Sequence, residues 1–196
     1  VILVVGLGNP GSAYALTRHN LGAVVLEGLA ESLSLPLSRR GHEARYASGY
    51  VATRPVMLAR PDTYMNLSGR AVEKLVRYFK IDTPDIIVIH DDLDLPFGDI
   101  RIKEGGGDGG HKGLISIIDY LGSSGFVRVR CGIGRPVMKE MTESYVLGKL
   151  NDEEMKELPR IKDRGSQAVQ AVIGSGTQRA MNEFNVRGQK TSDQGI

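Results

Sequence analysis

His19 and Asp91, each beside an expected strand edge, are of residue types that can move a proton. An imidazole titrates near pH ~6.5, so around neutrality much of it is free to take a proton from water. A carboxylate such as Asp91 supplies what that base needs, a partner that fixes the tautomer and stabilises the imidazolium. Both residues also have plainer readings. A lone histidine is readily a helix-capping or structural group. Asp91 is readily a turn residue at a strand end or, with Asp92 and Asp94, part of a divalent-cation site, since hard cations take clustered oxygen ligands. Asn9 and Asn66 offer amides that donate and accept hydrogen bonds without titrating, although Asn66 also suits the cap of a helix starting near Leu67. The sequence has no Gly-x-Ser-x-Gly elbow and no His-Glu-x-x-His pair. Neither a serine nucleophile on such an elbow nor a zinc ion on such a pair is therefore signalled.

The elements that must hold these groups can be read from apolar periodicity. Val1 to Val5 reads as a fully buried strand leading into Gly6-Leu7-Gly8-Asn9-Pro10-Gly11, and Asp85 to Ile89 as another leading into His90-Asp91-Asp92. Helices are expected over Leu21 to Leu33, Leu67 to Lys80 and His111 to Leu121. Further strands are expected over Ala44 to Thr53 and Val56 to Ala59, joined around Arg54-Pro55, and over Asp99 to Lys103 and Phe126 to Ile133, with a polar turn through Pro36 and Arg39-Arg40-Gly41. The last third reads as helical, opened by a capping box at Asn151 and Glu154 and broken at Gly174-Ser175-Gly176. The alternation predicts an α/β fold: a single-domain sandwich with a central twisted, mostly parallel mixed sheet flanked by helices. In such sheets the ligand crevice lies outside the carboxyl ends of the strands. Asn9 and Asp91, each just past a buried strand, can then meet at one edge.

Gly6, Gly8 and Gly11 also satisfy the Gly-x-Gly-x-x-Gly dinucleotide fingerprint, which would make the protein an oxidoreductase. Pro10 and Gly11-Ser12 continue a turn where that fingerprint needs a helix start, and the acidic candidates Glu27 and Glu31 fall inside a helix instead of ending a strand. The glycines are better explained by a tight turn that brings backbone and Asn9 close to a ligand.

Arg101 and Lys103 alternate with Ile100 and Ile102, and Arg128 and Arg130 alternate with Val127, Val129 and Cys131. Each strand would put its cations on one face, as a phosphate-binding surface or simply a solvated sheet face. The run Gly105 to Gly110 reads as a mobile lid or as a backbone nest for an anion. Cys131 is expected in the core. Over 196 residues the formal charge is only +2, which neither requires nor excludes nucleic acid, and one cysteine excludes an internal disulfide. No apolar run approaches the length of a membrane span, and a cytoplasmic protein is the simplest expectation.

Eight strings in order resemble bacterial-type peptidyl-tRNA hydrolase: GLGNPG (Gly6 to Gly11), Tyr14, TRHN (Thr17 to Asn20) with Gly22, YMNLSG (Tyr64 to Gly69), HDDLDLPFG (His90 to Gly98), RIKEGGGDGGHKGL (Arg101 to Leu114), RVRCGIGRP (Arg128 to Pro136) and MNEFN (Met181 to Asn185). The resemblance implies a catalytic domain over 1–187, with 188–196 a tail that matches nothing. It implies hydrolysis of the ester between a peptide and the terminal ribose of tRNA, without cofactor or metal, membrane or obligate protein partner, by a monomer. His19 would be the base, Asp91 its orienting partner, and Asn9 a donor to the developing oxyanion. Asn66 would hold the peptide, Tyr14 and Met65 would wall the cleft, and Lys103 and Arg130, with Arg101 beside them, would clamp tRNA phosphates. Lys112 stands where the family usually has asparagine, and Asp108 where histidine or another residue is frequent, so an asparagine's role does not transfer. Lys112 is expected beside the substrate with its ammonium in water, joining the phosphate-binding surface. The rival from the same fold is a catalytically silent RNA-binding protein of the splicing-factor kind.

Overall fold

In the computed structural model, which describes residues 1–186, seven strands form one sheet: β1 (Ile2–Gly6), β2 (Arg39–Gly41), β3 (Ala44–Val51), β4 (Arg54–Pro61), β5 (Ile86–Asp92), β6 (Ile100–Glu104) and β7 (Val127–Gly132). Their order is β2-β3-β4-β1-β5-β7-β6. The central four, β4, β1, β5 and β7, are parallel, and antiparallel pairings at β3 and β6 finish each side. The helices are α1 (Leu21–Ser32), α2 (Ser68–Phe79), α3 (Lys112–Leu121), α4 (Thr142–Val146), α5 (Asp152–Ser175) and α6 (Thr177–Phe184).

Helices cover both faces, which is why the inner strands are apolar throughout. In β1, Ile2 and Val4 join a core with α1, α5 and α6, whereas Leu3 and Val5 join one with α2 and α3. In β5, Ile87 and Ile89 face the first core, Ile86 and Val88 the second. Each such side chain contributes about 1.5–3 kcal/mol by leaving water. Helix α5 starts on the expected capping box, with Asn151 accepting from the Glu154 N–H and Glu154 accepting from the Asn151 N–H.

Three local expectations need correction. Arg39-Arg40-Gly41, read as a polar turn, is edge strand β2, whose extended form comes from pairing with β3 and not from any apolar pattern; charged residues suit an unpaired edge. The β3–β4 turn lies at Ala52, which takes the left-handed conformation at φ 51°, instead of at Arg54-Pro55. Pro55 sits just before Val56, the first β4 residue paired to β1, so its missing N–H costs no bond on that side. Helix α4 follows Lys139–Met141, ahead of the capping box at which the helical last third was expected to open. The tail expected over 188–196 lies outside the described residues.

Candidate active site

The carboxyl ends of β1 and β5 open on a cleft of about 830 Å3. Gly22 decides how closely α1 approaches this edge: a Cβ there would lie 2.3 Å from the Ile89 carbonyl oxygen of β5. Only glycine permits that packing, and it carries the preceding turn, Arg18–Asn20, over the end of β5. Arg18 anchors the turn from the other side, its guanidinium donating to both carboxylate oxygens of Glu154 (3.0 and 2.7 Å) while lying over the Tyr145 ring.

His19 is thereby buried against Asp91, with Nδ1 3.0 and 2.9 Å from the two carboxylate oxygens. A carboxylate only accepts, so Nδ1 carries the proton and the lone pair sits on Nε2. Nε2 has no partner among the described residues, and His19 lines the cleft. Burial by itself would raise the Asp91 carboxyl, but His111 and His19 outweigh it and hold Asp91 well below the usual carboxylate range. Asp91 is therefore held in its charged form.

His111 was not singled out from the sequence. Its Nε2 donates to Asp91 Oδ1 at 2.8 Å, and its Nδ1 accepts from the N–H groups of Gly113 and Leu114 (3.1 and 3.3 Å), capping α3. His90 lies below, its ring 5.1 Å from that of His111, with Nδ1 donating to the Asp91 carbonyl and Nε2 buried without a partner. Burial, with His111 beside it, pushes the His90 imidazole down to about 3.

His19, Asp91 and His111 present ligand atoms within 4.8 Å of one another, a donor set that zinc accepts. The hydrogen bonds oppose that use. A metal on His111 Nε2 would move the ring proton to Nδ1, where it would confront two backbone N–H groups and undo the helix cap. The cluster is built to hold protons. Asp92 and Asp94 do not complete a cation site with Asp91 either, because Asp92 pairs with Arg130 at 2.7 Å and Asp94 with Arg135.

Asn9 is fixed through both its backbone and its side chain. Its N–H donates to Asn20 Oδ1, its carbonyl accepts from Asn20 Nδ2, and its Oδ1 accepts from the Met65 N–H at 2.7 Å. Since a backbone N–H can only donate, the amide cannot be turned round, and Nδ2 is left to donate into the cleft. Tyr14 lines the cleft with Tyr64 edge-on to it at 6.4 Å, and Met65 is buried in its wall. Asn66 is exposed on the same wall; it does not cap α2, whose N-cap position is Leu67.

The strand register puts Arg101 opposite Arg130 and Lys103 opposite Arg128, so all four cations share one sheet face. Their surroundings differ. Lys103 and Arg130 line the cleft. Arg101 does not stand with them in it: its Nη1 donates to the Asn185 carbonyl at 2.8 Å, at the end of α6. Arg128 borders the cleft too, but it is buried under the glycine loop, donating to the Gly107 and Gly106 carbonyls. Lys112 is exposed at the cleft mouth and pairs with Glu143 of α4 at 2.8 Å. Cys131 is fully buried, and burial pushes its thiol far up, as suits a core residue.

No helix among the described residues is long and apolar enough to cross a membrane. A family model described as peptidyl-tRNA hydrolase matches residues 3–194. The peptidyl-tRNA hydrolase of Geobacter sp. (strain M21) is 45% identical over 185 residues, covering 94% of this chain and 98% of the relative. That of Bacillus subtilis (strain 168) is 42% identical over 187 residues, covering 95% and 100%. The crystal structure of peptidyl-tRNA hydrolase from Acinetobacter baumannii superposes with a TM-score of 0.89 at 37% identity, covering 95% of each chain. With the fold, the motifs and these likenesses in agreement over nearly the whole length, the chain belongs to the peptidyl-tRNA hydrolase family.

Proposed function

We propose that this protein hydrolyses the ester bond between the peptide and the tRNA of peptidyl-tRNA, releasing tRNA for reuse in translation. The observation that carries the mechanism is the His19–Asp91 pair, which leaves a neutral imidazole with its free lone pair at the cleft. His19 Nε2 takes a proton from water as the water attacks the ester carbonyl. Asp91 holds the tautomer and stabilises the imidazolium, and the same proton then goes to the departing ribose oxygen. Asn9 Nδ2 donates to the oxyanion that develops on the carbonyl, and its fixed orientation means that no reorganisation accompanies the charge. Asn66, on the exposed wall, holds the peptide backbone, between Tyr14 and Met65. Lys103 and Arg130 receive tRNA phosphates, and Lys112 contributes at the mouth once Glu143 releases it.

The protein acts as a monomer, and the reaction belongs to the cytoplasm, where tRNA is recharged. The deciding experiment incubates the protein with N-acyl-aminoacyl-tRNA and, separately, with the same tRNA carrying a free α-amino group. Release of tRNA from the first and not the second is expected. Binding of both without release would favour the silent RNA-binding alternative.

A further inference from the structure

Residues 105–111, between β6 and α3, include five glycines, and they do not hang free. Arg128 of β7 is 3% exposed, and its Nη1 and Nη2 donate to the carbonyls of Gly107 and Gly106. Its guanidinium lies over the Phe126 ring, and its Nε is buried without a partner. A planar trans peptide points its C=O and its N–H in opposite directions, and the described chain has no cis peptide. With the carbonyls of Gly106 and Gly107 drawn inward to Arg128, the N–H groups of Gly107 and Asp108 are turned outward. Neither has an acceptor among the described residues, and both residues line the cleft with Lys103 and Arg130. Gly106, at φ 100°, keeps the path clear for Lys103, whose Cε and Nζ would lie 2.7 Å from a Cβ there.

A buried cation held by two neutral carbonyls, with one donor unused, is a costly way merely to pin a loop. It is a sensible way to set positive charge behind two aligned amide donors. We propose that Arg128 is a positioning residue, which turns the N–H groups of Gly107 and Asp108 into a receptor for a phosphate group of the nucleic-acid substrate, beside Lys103. This rests on the reading of the substrate as peptidyl-tRNA. Asp108 opposes the positive charge from within the loop, and Asp92, paired with Arg130, from β5. Asp108 Oδ1 is engaged by the Gly110 N–H at 2.7 Å, so the Asp108 carboxylate lies beside the receptor and tempers its hold on phosphate.

The test follows the amide signals of 15N-labelled protein during titration with a tRNA acceptor-stem minihelix, together with kinetics on peptidyl-tRNA. In the unaltered chain the Gly107 and Asp108 amide protons shift downfield on binding. In Arg128→Met those shifts vanish, Kd and KM rise about tenfold for the lost charge-assisted bonds, the salt slope falls by about one unit, and kcat falls much less than KM rises. Arg128→Lys, which keeps the charge but reaches a single carbonyl, is intermediate and serves if the Met variant does not fold. Asp108→Asn binds more tightly. The proposal is overturned if the two amides stay unmoved in the bound protein, if both Arg128 variants bind as the unaltered chain does, or if kcat falls as far as KM rises. Movement of these amides without hydrolysis of peptidyl-tRNA would sink the functional reading and leave the receptor standing. Hydrolysis with unmoved amides would do the reverse.

Discussion

The floor and the mouth of the cleft are built on opposite principles. At the floor, Asp91 is nearly sealed from solvent and takes N–H donors from two histidines, and Asn9 is locked by Asn20 and Met65. At the mouth, Lys112 and Glu143 meet in water with side chains 59% and 72% exposed. Buried polar groups are held because leaving one unpaired is expensive, so the floor keeps its geometry before substrate arrives. An exposed ion pair is screened and easily exchanged, so the mouth can trade Glu143 for a phosphate at little cost. Chemistry is placed where the structure is stiff, and recognition of a large polyanion where it yields.

Breaking the floor has the largest effect. His19→Ala is expected to stay folded, as judged by circular dichroism, and to lower single-turnover hydrolysis by at least about a hundredfold. Asp91→Asn lowers it by less: with the amide oxygen kept on the His111 N–H, the amide nitrogen faces His19 and can hold the wrong tautomer. The double variant should be little worse than His19→Ala; multiplication of the two losses would show that the residues do not act as a unit.

Stability against pH probes the layer beneath the floor. His90 titrates near 3 when folded and near ~6.5 when unfolded. Between these values the unfolded chain binds the extra proton, so its contribution to stability is complete above ~6.5 and is lost as pH falls toward 3. Asp91, whose folded pKa is lowered, keeps its contribution above its unfolded value of ~3.9 and loses it only below that. Urea denaturation from pH 6 to 4 should therefore show a dependence close to one proton steeper in the unaltered protein than in His90→Asn. Equal slopes would mean that His90 is not held neutral.

Lys103→Ala and Arg130→Ala act above the floor. Each is expected to weaken binding of full-length peptidyl-tRNA and to flatten its logarithmic salt dependence by about one unit. Losses on a minimal substrate without the tRNA body should be clearly smaller; equal losses would move these cations into the chemistry. Arg130→Ala should cost more than its charge alone, because it strands Asp92.

The smallest effect belongs to the mouth. Lys112→Asn should change peptidyl-tRNA affinity by less than about fivefold, the range for exposed pairs, and the change should fade with salt. The acidic limb of the pH–rate profile on a small substrate should stay where it is. Its upward movement in Lys112→Asn would place that ammonium within the field of His19 and erase the distinction between mouth and floor.

What the sequence disclosed follows the same division. The fold was readable because β1 and β5 are buried on both faces and carry unbroken apolar runs, and because α5 announces itself with a capping box. That Asn9 and Asp91 would share an edge followed from strand topology alone. His111 was not legible as a partner of Asp91. Twenty positions separate them, and their meeting depends on where the glycine loop sets down the start of α3; a histidine ahead of a helix was the available signal, and it reads equally well as a cap, which it also is. Alternation put the cations of each strand on one face, but it cannot say that the two faces coincide, which the register decides, or what covers them. Asn185 claims Arg101 and the glycine loop claims Arg128, both contacts made far along the chain. Arg39–Gly41 escaped because an edge strand takes its form from its neighbour.

The fixed amide of Asn9 has a further consequence, for inhibitors. With Oδ1 committed to the Met65 N–H, this point of the cleft offers a donor and never an acceptor. A compound that places a carbonyl, sulfonyl or phosphoryl oxygen there meets a partner ready-made. One that places an amine or amide N–H there faces two donors across an unbridgeable contact, and the side chain cannot flip to accommodate it without stripping Met65 of its own bond. A fragment screen against this pocket should therefore sort its hits by polarity at a single atom before sorting them by size.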